Sequence, residues 1–578
     1  MKRIAALFIV VLLVVAAWAA YQTASQSLAR QPQPSLARLM PQDALLFLEA
    51  RDFGTLLGEW NSSPQKQLWL NTDNHEVFSR SRLFLRLKQA QDEFASAAGL
   101  APDTTFLNDV AGDQSALGVY DIGKLQLLYV TRLPSARAMN SGIWQQRAQF
   151  EAREVNGKKF YVRTDPQSQR VVAFAIDDDY LILATREDLI AGALSLLADQ
   201  KTTALNQQGW FSDAIKTAKE PGELRLVVHL AEVTKTPQFR TYWVQQNITE
   251  LRQYESSVSD LFRSSNTYRE ERALLLRDKP LSDKPEGVAD AAPQVAELLR
   301  LVPPEVGFYR VSAAPSVEDS LALLEQRVLT PRLGPTPASK LAPNLPAGEQ
   351  PVGSQSNLDV RIDTPPTTDT GEANGDSALK EILTKANIRV VLQLHSSESS
   401  ADGVFVRLHS TIVLQGATDW DEPAVQQAIQ RILSPGLTAS TLGVGWNKAG
   451  SAAQSYSELD GLARIALALR GKCLFVSDDP QTLVTVLARI SQPVSAEAAI
   501  YYAGFDHARE RQNFYRLTSL VDQPSRANAA SNVTREPQFF SQNVAGLSQT
   551  LAAVKSQSFI AKRTGGVETQ TVRYEWVQ

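Results

Sequence analysis

The sequence contains few of the residues on which metal binding and covalent catalysis depend. Its 578 residues include one cysteine, Cys473, three methionines and five histidines. A single cysteine excludes an intrachain disulfide and a cysteine-rich zinc site. No histidine lies within four residues of another, and the GxSxG, HExxH, P-loop, GxGxxG and EF-hand patterns are missing. The sequence therefore predicts a protein that is not an enzyme and that has no metal or other cofactor.

Neither positive nor negative charge predominates in the sequence. The chain has 58 Lys and Arg against 62 Asp and Glu, a net charge of -4. Binding to nucleic acid requires clustered basic residues that replace the counterions of phosphate, so we expect no nucleic-acid partner. With 43% apolar and 21% charged residues, the composition is that of an ordinary globular protein. Its length is enough for several domains.

The N-terminal segment has the pattern of a membrane anchor or an export signal. Residues 4–20 follow Lys2 and Arg3 and contain no charged or strongly polar side chain. Such a segment can span a bilayer with its basic flank in the cytoplasm. We assign residues 1–22 to this signal or transmembrane anchor and residues 23–35 to a short linker. Alternatively, the segment is cleaved after the small-x-small sequence Ala17-Trp18-Ala19, which would release the body from the membrane.

Three sequence echoes predict an internal duplication. RLMPQDALLFL (38–48) is echoed by RLVPPEVGFYR (300–310), AFAIDDDYLILAT (173–185) by IALALRGKCLFVS (465–477), and PQFRTYWVQQNITEL (237–251) by PQFFSQNVAGL (537–547). Because the echoes keep their order, we expect a first repeat over residues 36–285 and a second over 286–578. Residues 331–376 are rich in proline and lack aromatic side chains, so they predict a disordered insertion within the second repeat.

The spacing of apolar residues predicts mixed helices and antiparallel strands in each repeat. Apolar residues from Leu83 to Ala98 recur at helical spacing and Gly99 follows them, which predicts a helix. Residues 115–133 predict a hairpin, and Asn156-Gly157 predicts a tight turn in another. A long helix is predicted after Pro237, with an apolar stripe that continues to Leu261. The predicted fold class is α+β: an N-terminal transmembrane or signal helix, then two similar domains of antiparallel sheet and helices.

The candidate binding residues come from the third echo. The pair Gln246-Asn247 recurs as Gln542-Asn543, and the aromatic residues Phe239, Tyr242 and Trp243 lie beside the first pair. One interpretation is that these side chains bind a ligand such as a glycan or a peptide. The other is that the amides hydrogen-bond to backbone groups and the aromatic rings pack in the core. The acidic run at residues 177–179 is interpreted as a solvated turn, since no further oxygen ligands follow it.

Three segments carry a resemblance to a known family: GLAPDTTFLNDVAGDQSALGVYD (99–121), NGKKFYV (156–162) and DDDYLILATREDLIAGAL (177–194). They resemble a bacterial extracytoplasmic, membrane-anchored family of unknown function, whose members join an N-terminal membrane signal to an α+β body. The likeness covers residues 36–200 well and 298–490 weakly. It implies an anchor in the bacterial inner membrane and a periplasmic body, or a secreted or periplasmic body if the signal is cleaved. It brings no activity, cofactor or site residue.

Three functional hypotheses remain open at this point. The first is a non-enzymatic, membrane-tethered protein of the cell envelope that binds a protein or cell-wall partner. The second is a module that binds a ligand or lipid in a cleft between the two repeats, which a large apolar pocket would favour. The third is an enzyme whose site is assembled from distant residues and therefore leaves no sequence motif.

Overall fold

The computed structural model describes residues 33–199, 202–242, 251–277, 290–314, 316–329, 374–400, 406–437, 445–459, 464–521 and 553–577. The predicted anchor (residues 4–20), the predicted repeat boundary and residues 331–373 of the predicted insertion lie outside them. The insertion's last three predicted residues begin a helix, Asn374–Ala386. No helix within the described ranges is long and apolar enough to cross a membrane.

Twenty strands are found in the described part of the chain, and all their pairings are antiparallel. In chain order they are β1 Leu46–Arg51, β2 Gln114–Asp121, β3 Gln126–Arg132, β4 Glu151–Val155, β5 Lys158–Thr164, β6 Val171–Asp177, β7 Tyr180–Ala184, β8 Leu224–Val228, β9 Tyr254–Arg263, β10 Thr267–Leu276, β11 Phe308–Ala313, β12 Ile388–Ser399, β13 Val406–Gly416, β14 Trp446–Ala449, β15 Tyr456–Leu459, β16 Ile465–Arg470, β17 Cys473–Ser477, β18 Tyr501–Asp506, β19 Val554–Thr564 and β20 Val567–Trp576.

The helices connect these strands. They are α1 Phe53–Ser62, α2 Pro64–Leu70, α3 Asp73–Ser79, α4 Arg82–Ala98, α5 Thr104–Val110, α6 Ser135–Ala138, α7 Gly142–Gln145, α8 Glu187–Leu197, α9 Gly209–Thr217, α10 Leu230–Val233, α11 Pro237–Tyr242, α12 Ala292–Leu299, α13 Val317–Leu324, α14 Asn374–Ala386, α15 Glu422–Leu437, α16 Pro480–Ala488 and α17 His507–Val521. Short 3-10 turns occur at Leu36–Leu39, Arg147–Gln149, Leu205–Gln207 and Ala452–Gln454, and a π-helical turn at Glu325–Leu329.

The strands pair in one linear order. From one end to the other it is β4-β5-β6-β7-β3-β2-β1-β8-β9-β10-β20-β19-β18-β11-β12-β13-β17-β16-β15-β14. The order reads the same in both directions when β1 is matched with β11, β2 with β12, and so on to β10 with β20. We call β1–β10 the first half and β11–β20 the second half. The fold is therefore α+β with a large antiparallel sheet.

Helices cover both faces of the sheet in the first half. Side chains of a strand alternate between faces, so Ala173 and Ala175 of β6 pack in one core cluster and Val172 and Phe174 in another. The cluster with the two alanines includes residues of α8 and α9. The cluster on the opposite face includes residues of α4, α5, α6 and α7. The sheet is thus the middle layer, and α4 and α5 cover the face opposite α8 and α9.

Local sequence signals for the first half are confirmed where turn chemistry dictates the backbone. Gly99 ends α4 in the left-handed conformation, φ 76°, as predicted from its position after the apolar spacing. Asn156 and Gly157 have φ of 51° and 76°, the two positive angles that a tight hairpin between β4 and β5 requires. The predicted hairpin of residues 115–133 is formed by β2 and β3.

The predicted long helix after Pro237 is wrong in its last part. Residues from Tyr254 onwards form strand β9, in which Tyr254, Ser256, Val258 and Asp260 are buried in alternation. The alternation was hidden because two of the four buried residues are polar. Asp260 is buried because it pairs with Arg225 of β8, which is distant in sequence. Tertiary pairing therefore replaces the apparent helical stripe with a strand.

Candidate functional site

An apolar cavity lies between the sheet and the helices α4 and α5 in the first half. Its volume is about 580 Å³, within the range of about 300–1,000 Å³ that is typical of pockets for small molecules. The lining contains no carboxylate, histidine or cysteine side chain. Such a site cannot perform acid–base or nucleophilic chemistry with its own lining, but it can remove an apolar molecule from water.

The floor of the cavity is one face of the sheet. Leu48 of β1 lies directly opposite Leu117 of β2, and Leu127 of β3 pairs with Val119, two residues further along β2. Because side chains two residues apart in a strand share a face, these three leucines point to the same side. Leu183 of β7 and Leu224 of β8 extend this floor.

The wall and roof come from α4 and α5. Leu87, Ala90, Gln91 and Phe94 line the cavity and recur at helical spacing, so one stripe of α4 faces it. Ser81 fixes the start of this helix, since its Oγ accepts a hydrogen bond of 3.2 Å from the backbone N–H of Phe84. Helix α5 contributes Phe106, Leu107 and Val110.

The hydroxyl groups on the sheet side of the lining bond to one another or to the backbone. The hydroxyl of Tyr129 lies 2.9 Å from the carbonyl oxygen of Val110 and 3.0 Å from Oγ of Ser115. Burial raises the pKa of Tyr129 and outweighs the hydrogen bonds from Ser115 and Thr131, so the phenol stays protonated. The Thr185 Oγ1 accepts a bond of 2.8 Å from the N–H of Leu127. Because these hydroxyl groups already have hydrogen-bond partners, the apolar side chains of the lining determine what binds.

An ion-paired arginine closes one side of the cavity. Arg170 donates from Nε and Nη2 to Oε2 of Glu93 on α4, and from Nη1 to the carbonyl oxygen of Lys124 at 2.9 Å. Burial alone would raise the pKa of Glu93, but the hydrogen bond and charge of Arg170, together with the charge of Arg86, hold this pKa below its ordinary value. Arg170 is only 10% exposed and its donors are occupied. It therefore attaches α4 to the sheet and is not a free site for an anion.

The second half differs from the first at the matched floor positions. Strand register matches the pair Leu48 and Leu117 with the pair Arg310 and Gln393. In the same way, Leu127 is matched with Ser410, because Val119 pairs with Leu127 and His395 pairs with Ser410. The guanidinium of Arg310 lies over the ring of Tyr501, 5.2 Å from its centroid. This strand arrangement therefore accepts polar residues at positions where the first half has leucine.

Of the sequence-predicted site residues, the structure describes Phe239 and the backbone of Tyr242. Phe239 is half-buried in α11, and its N–H donates to Oγ1 of Thr236 at 3.3 Å. Phe239 does not line the cavity, and Tyr242 ends the same helix. Trp243, Gln246, Asn247, Gln542 and Asn543 lie outside the described residues. Their role as binding residues stays a prediction.

The acidic turn and the single cysteine provide neither a metal site nor a reactive thiolate in the described part of the chain. No group of three or more His, Cys, Asp or Glu residues there could hold a metal ion. Asp178, φ 48°, lies in the turn between β6 and β7, and Asp177 pairs with Lys158. Burial raises the pKa of the Cys473 thiol to about 11, so it is not a reactive thiolate near neutral pH.

Sequence reasoning missed the cavity because its lining comes from segments between Leu48 and Leu224 that no local pattern connects. One signal was present in principle. The first echo aligns the leucine of RLMPQDALLFL, Leu48, with the arginine of RLVPPEVGFYR, Arg310. A comparison of the two repeats for positions that are apolar in one copy alone would have singled out this position.

Comparison with known proteins assigns this chain to no family. No protein-family profile matches the sequence, and no curated protein is similar to it. Three crystal structures of TP0453, forms IV, III and I, are similar to part of the chain, with 10–11% identity and TM-scores of 0.23–0.24. The likeness covers 41–44% of this chain and 79–84% of theirs. Likenesses as low as these support no conclusion about fold or function.

Proposed function

We propose that this protein is a non-enzymatic, membrane-tethered protein of the bacterial cell envelope that binds an apolar chain, such as the acyl chain of a lipid, in the cavity under α4 and α5. The observation that carries the proposal is the lining: about 580 Å³ of space bounded mostly by aliphatic and aromatic side chains, where Ser115, Tyr129 and Thr185 already have hydrogen-bond partners. Each methylene group that leaves water for such a site contributes about 0.8 kcal/mol.

The difference between the two halves supports a function for the lining. If the fold required leucine at Leu48, Leu117 and Leu127, the matched positions would be apolar as well. They are instead Arg310, Gln393 and Ser410. We therefore attribute the apolar floor of the first half to ligand binding.

We further propose that the chain arose by internal duplication and that residues 4–20 anchor its body to the inner membrane. The palindromic strand order and the three sequence echoes support the duplication. The apolar run behind Lys2 and Arg3 supports the anchor. The cavity lies within the first half and not in a cleft between the repeats. A protein or cell-wall partner stays a prediction from the sequence.

Photolabelling tests the ligand proposal directly. Membranes that contain the full-length protein are incubated with a diazirine derivative of a long-chain fatty acid, irradiated and digested, and the labelled peptides are identified by mass spectrometry. We expect label on residues 87–94 of α4 and on residues 117–127. Unlabelled fatty acids of increasing length should compete, and each added methylene should lower the competing concentration about fourfold until the cavity is full, from about 0.8 kcal/mol per methylene.

Two results would contradict this function. One is label that is spread over the exposed surface with no enrichment in these peptides. The other is competition that does not depend on chain length, because a site that only recognises a head group would not distinguish the acids.

A further inference from the structure

Exposed apolar side chains are concentrated in one helical segment, residues 53–98. Trp60, Leu70, Leu85 and Leu87 are 48%, 41%, 55% and 46% exposed. Neither α1 nor α2, which hold the first two, contains a buried residue. Single exposed apolar residues are common on soluble proteins, but a concentration of them marks an interaction surface.

These helices form one connected layer. The ring of Trp69 in α2 lies 6.1 Å from that of Phe78 in α3, and Phe78 lies 5.5 Å from Phe84 in α4. The layer is joined to the sheet by Arg263, whose Nη1 lies 2.7 Å from Oε2 of Glu59 in α1. The exposed residues are therefore held by a continuous structure and do not lie on separate loops.

The start of α4 exposes Leu85 on the side that faces away from the cavity. Successive residues of an α-helix are rotated by about 100°, so Leu85 and Leu87 point to nearly opposite sides. Both are about half exposed, 55% and 46%. Leu87 lines the cavity, so Leu85 lies on the opposite side of α4 and faces away from it.

The segment around Leu85 is basic. Residues 80–88, RSRLFLRLK, contain four basic residues and no acid. Arg80 and Arg86 pair with Glu76 and Glu93, at 2.7 and 3.5 Å. Arg82 and Lys88 are exposed and have no ion pair among the described residues. Basic side chains interleaved with exposed leucines complement an anionic bilayer, where the apolar groups enter the head-group region and the cations remain at the phosphates.

We propose that this segment, residues 60–88, rests on the surface of an anionic lipid bilayer. Leu85, Trp60 and Leu70 supply apolar contact, and Arg82 and Lys88 contact the anionic head groups. The sequence-predicted anchor would hold the body close to such a surface, which lowers the entropic cost of contact. This contact between residues 60–88 and the bilayer does not require a ligand in the cavity.

Cysteine accessibility in the full-length protein tests this contact. Leu85→Cys is made in a Cys473→Ser background and placed in nanodiscs of either phosphatidylcholine alone or phosphatidylcholine with phosphatidylglycerol. The rate of labelling by a membrane-impermeant maleimide is then measured. The matched control is Leu408→Cys in the second half, where the leucine is 40% exposed.

We expect Leu85→Cys to react at least tenfold more slowly in the anionic nanodiscs and to recover in high salt, while Leu408→Cys reacts equally in both. Arg82→Glu with Lys88→Glu should restore the fast reaction of Leu85→Cys in anionic nanodiscs. Equal labelling of Leu85→Cys in both lipids would overturn the proposal. Protection in native membranes but not in nanodiscs would also overturn it, because a protein partner would then cover the segment. Neither result depends on photolabelling of the cavity, so the two proposals can fail separately.

Discussion

Glu271 of β10 lies directly opposite Thr571 of β20, and this strand pair joins the two halves of the protein. The pairing is symmetric about that point: Thr267 pairs with Glu575, and Leu275 pairs with Val567. On either side, β9 pairs with β10 and β19 with β20. The two halves thus share a continuous ladder of backbone hydrogen bonds across their junction.

A disulfide should form across this junction. In a Cys473→Ser background, Glu271→Cys with Thr571→Cys places two cysteines at directly opposed positions, where Cα atoms of antiparallel strands lie about 4.5–5.5 Å apart. Oxidation should give a species that migrates differently on a non-reducing gel, and peptide mapping should identify the bond. The control is Glu271→Cys with Glu575→Cys, four residues out of register. Equal crosslinking of both pairs would contradict the observed register.

Replacing one residue of a buried ion pair in the first half should destabilise the protein more than replacing both residues together. Arg225 donates from Nε and Nη2 to the two oxygens of Asp260 at 2.7 and 2.8 Å, and both side chains are buried. The matched residues in the second half are Tyr502 and Ile560, which also face each other. Arg225→Tyr alone should lower the free energy of unfolding by about 3–5 kcal/mol, because it leaves the Asp260 charge buried without a partner.

The double variant Arg225→Tyr with Asp260→Ile should recover most of that loss. Some deficit should remain, because the N–H of Gly222 loses its acceptor on Asp260. Denaturant unfolding of the two single variants and the double variant would measure the coupling. Additive losses would show that the pair does not act as a unit.

Replacing a leucine of the cavity floor by the residue found at the matched position of the second half should weaken ligand binding. Leu117→Gln introduces the residue found at the matched position, Gln393. The new amide would have to lose its water without a hydrogen-bond partner when an apolar ligand enters the cavity. We expect photolabelling of α4 to fall at least tenfold while the unfolding midpoint changes little. The reciprocal change in the second half, Gln393→Leu, should leave the labelling unaltered. Normal labelling of Leu117→Gln would exclude this floor as the binding surface.

Acid should destabilise the protein through His507. This side chain is 5% exposed and lies against Phe505, with ring centroids 4.3 Å apart. Burial lowers the pKa of His507 to about 4, against the opposing effect of Gln557; Arg511 lowers it further and Asp506 raises it. Since the unfolded chain takes up this proton near pH 6.5 and the folded chain only near 4, stability is lost as pH falls between these values. The loss amounts to about 3 kcal/mol at most.

Comparison with His507→Gln isolates this contribution. We expect the free energy of unfolding of the native chain to fall more steeply between pH 6.5 and 4 than that of the variant, measured by denaturant titration at each pH. His75→Gln is the control, because His75 lies in α3 at the surface layer. Parallel pH profiles for the native chain and His507→Gln would refute the assignment.

The sequence predicts those elements whose cause is local. Gly99 and Asn156-Gly157 fix their turns through backbone angles that few other residues adopt, so α4 and the β4–β5 hairpin could be anticipated. Strand β9 could not, because Asp260 is buried only through Arg225, which lies 35 residues earlier in the chain. The cavity depends on the register of five strands, a property that no single segment encodes.

The linear strand order leaves two strands with only one neighbour each within the described residues, β4 and β14. Unpaired backbone groups at such an edge can recruit a strand of another molecule and start aggregation. Both strands are short, and both carry charge: β4 includes Glu151, Arg153 and Glu154, and β14 includes Lys448. Short, charged end strands thereby protect this long sheet at both ends from growing into a fibre.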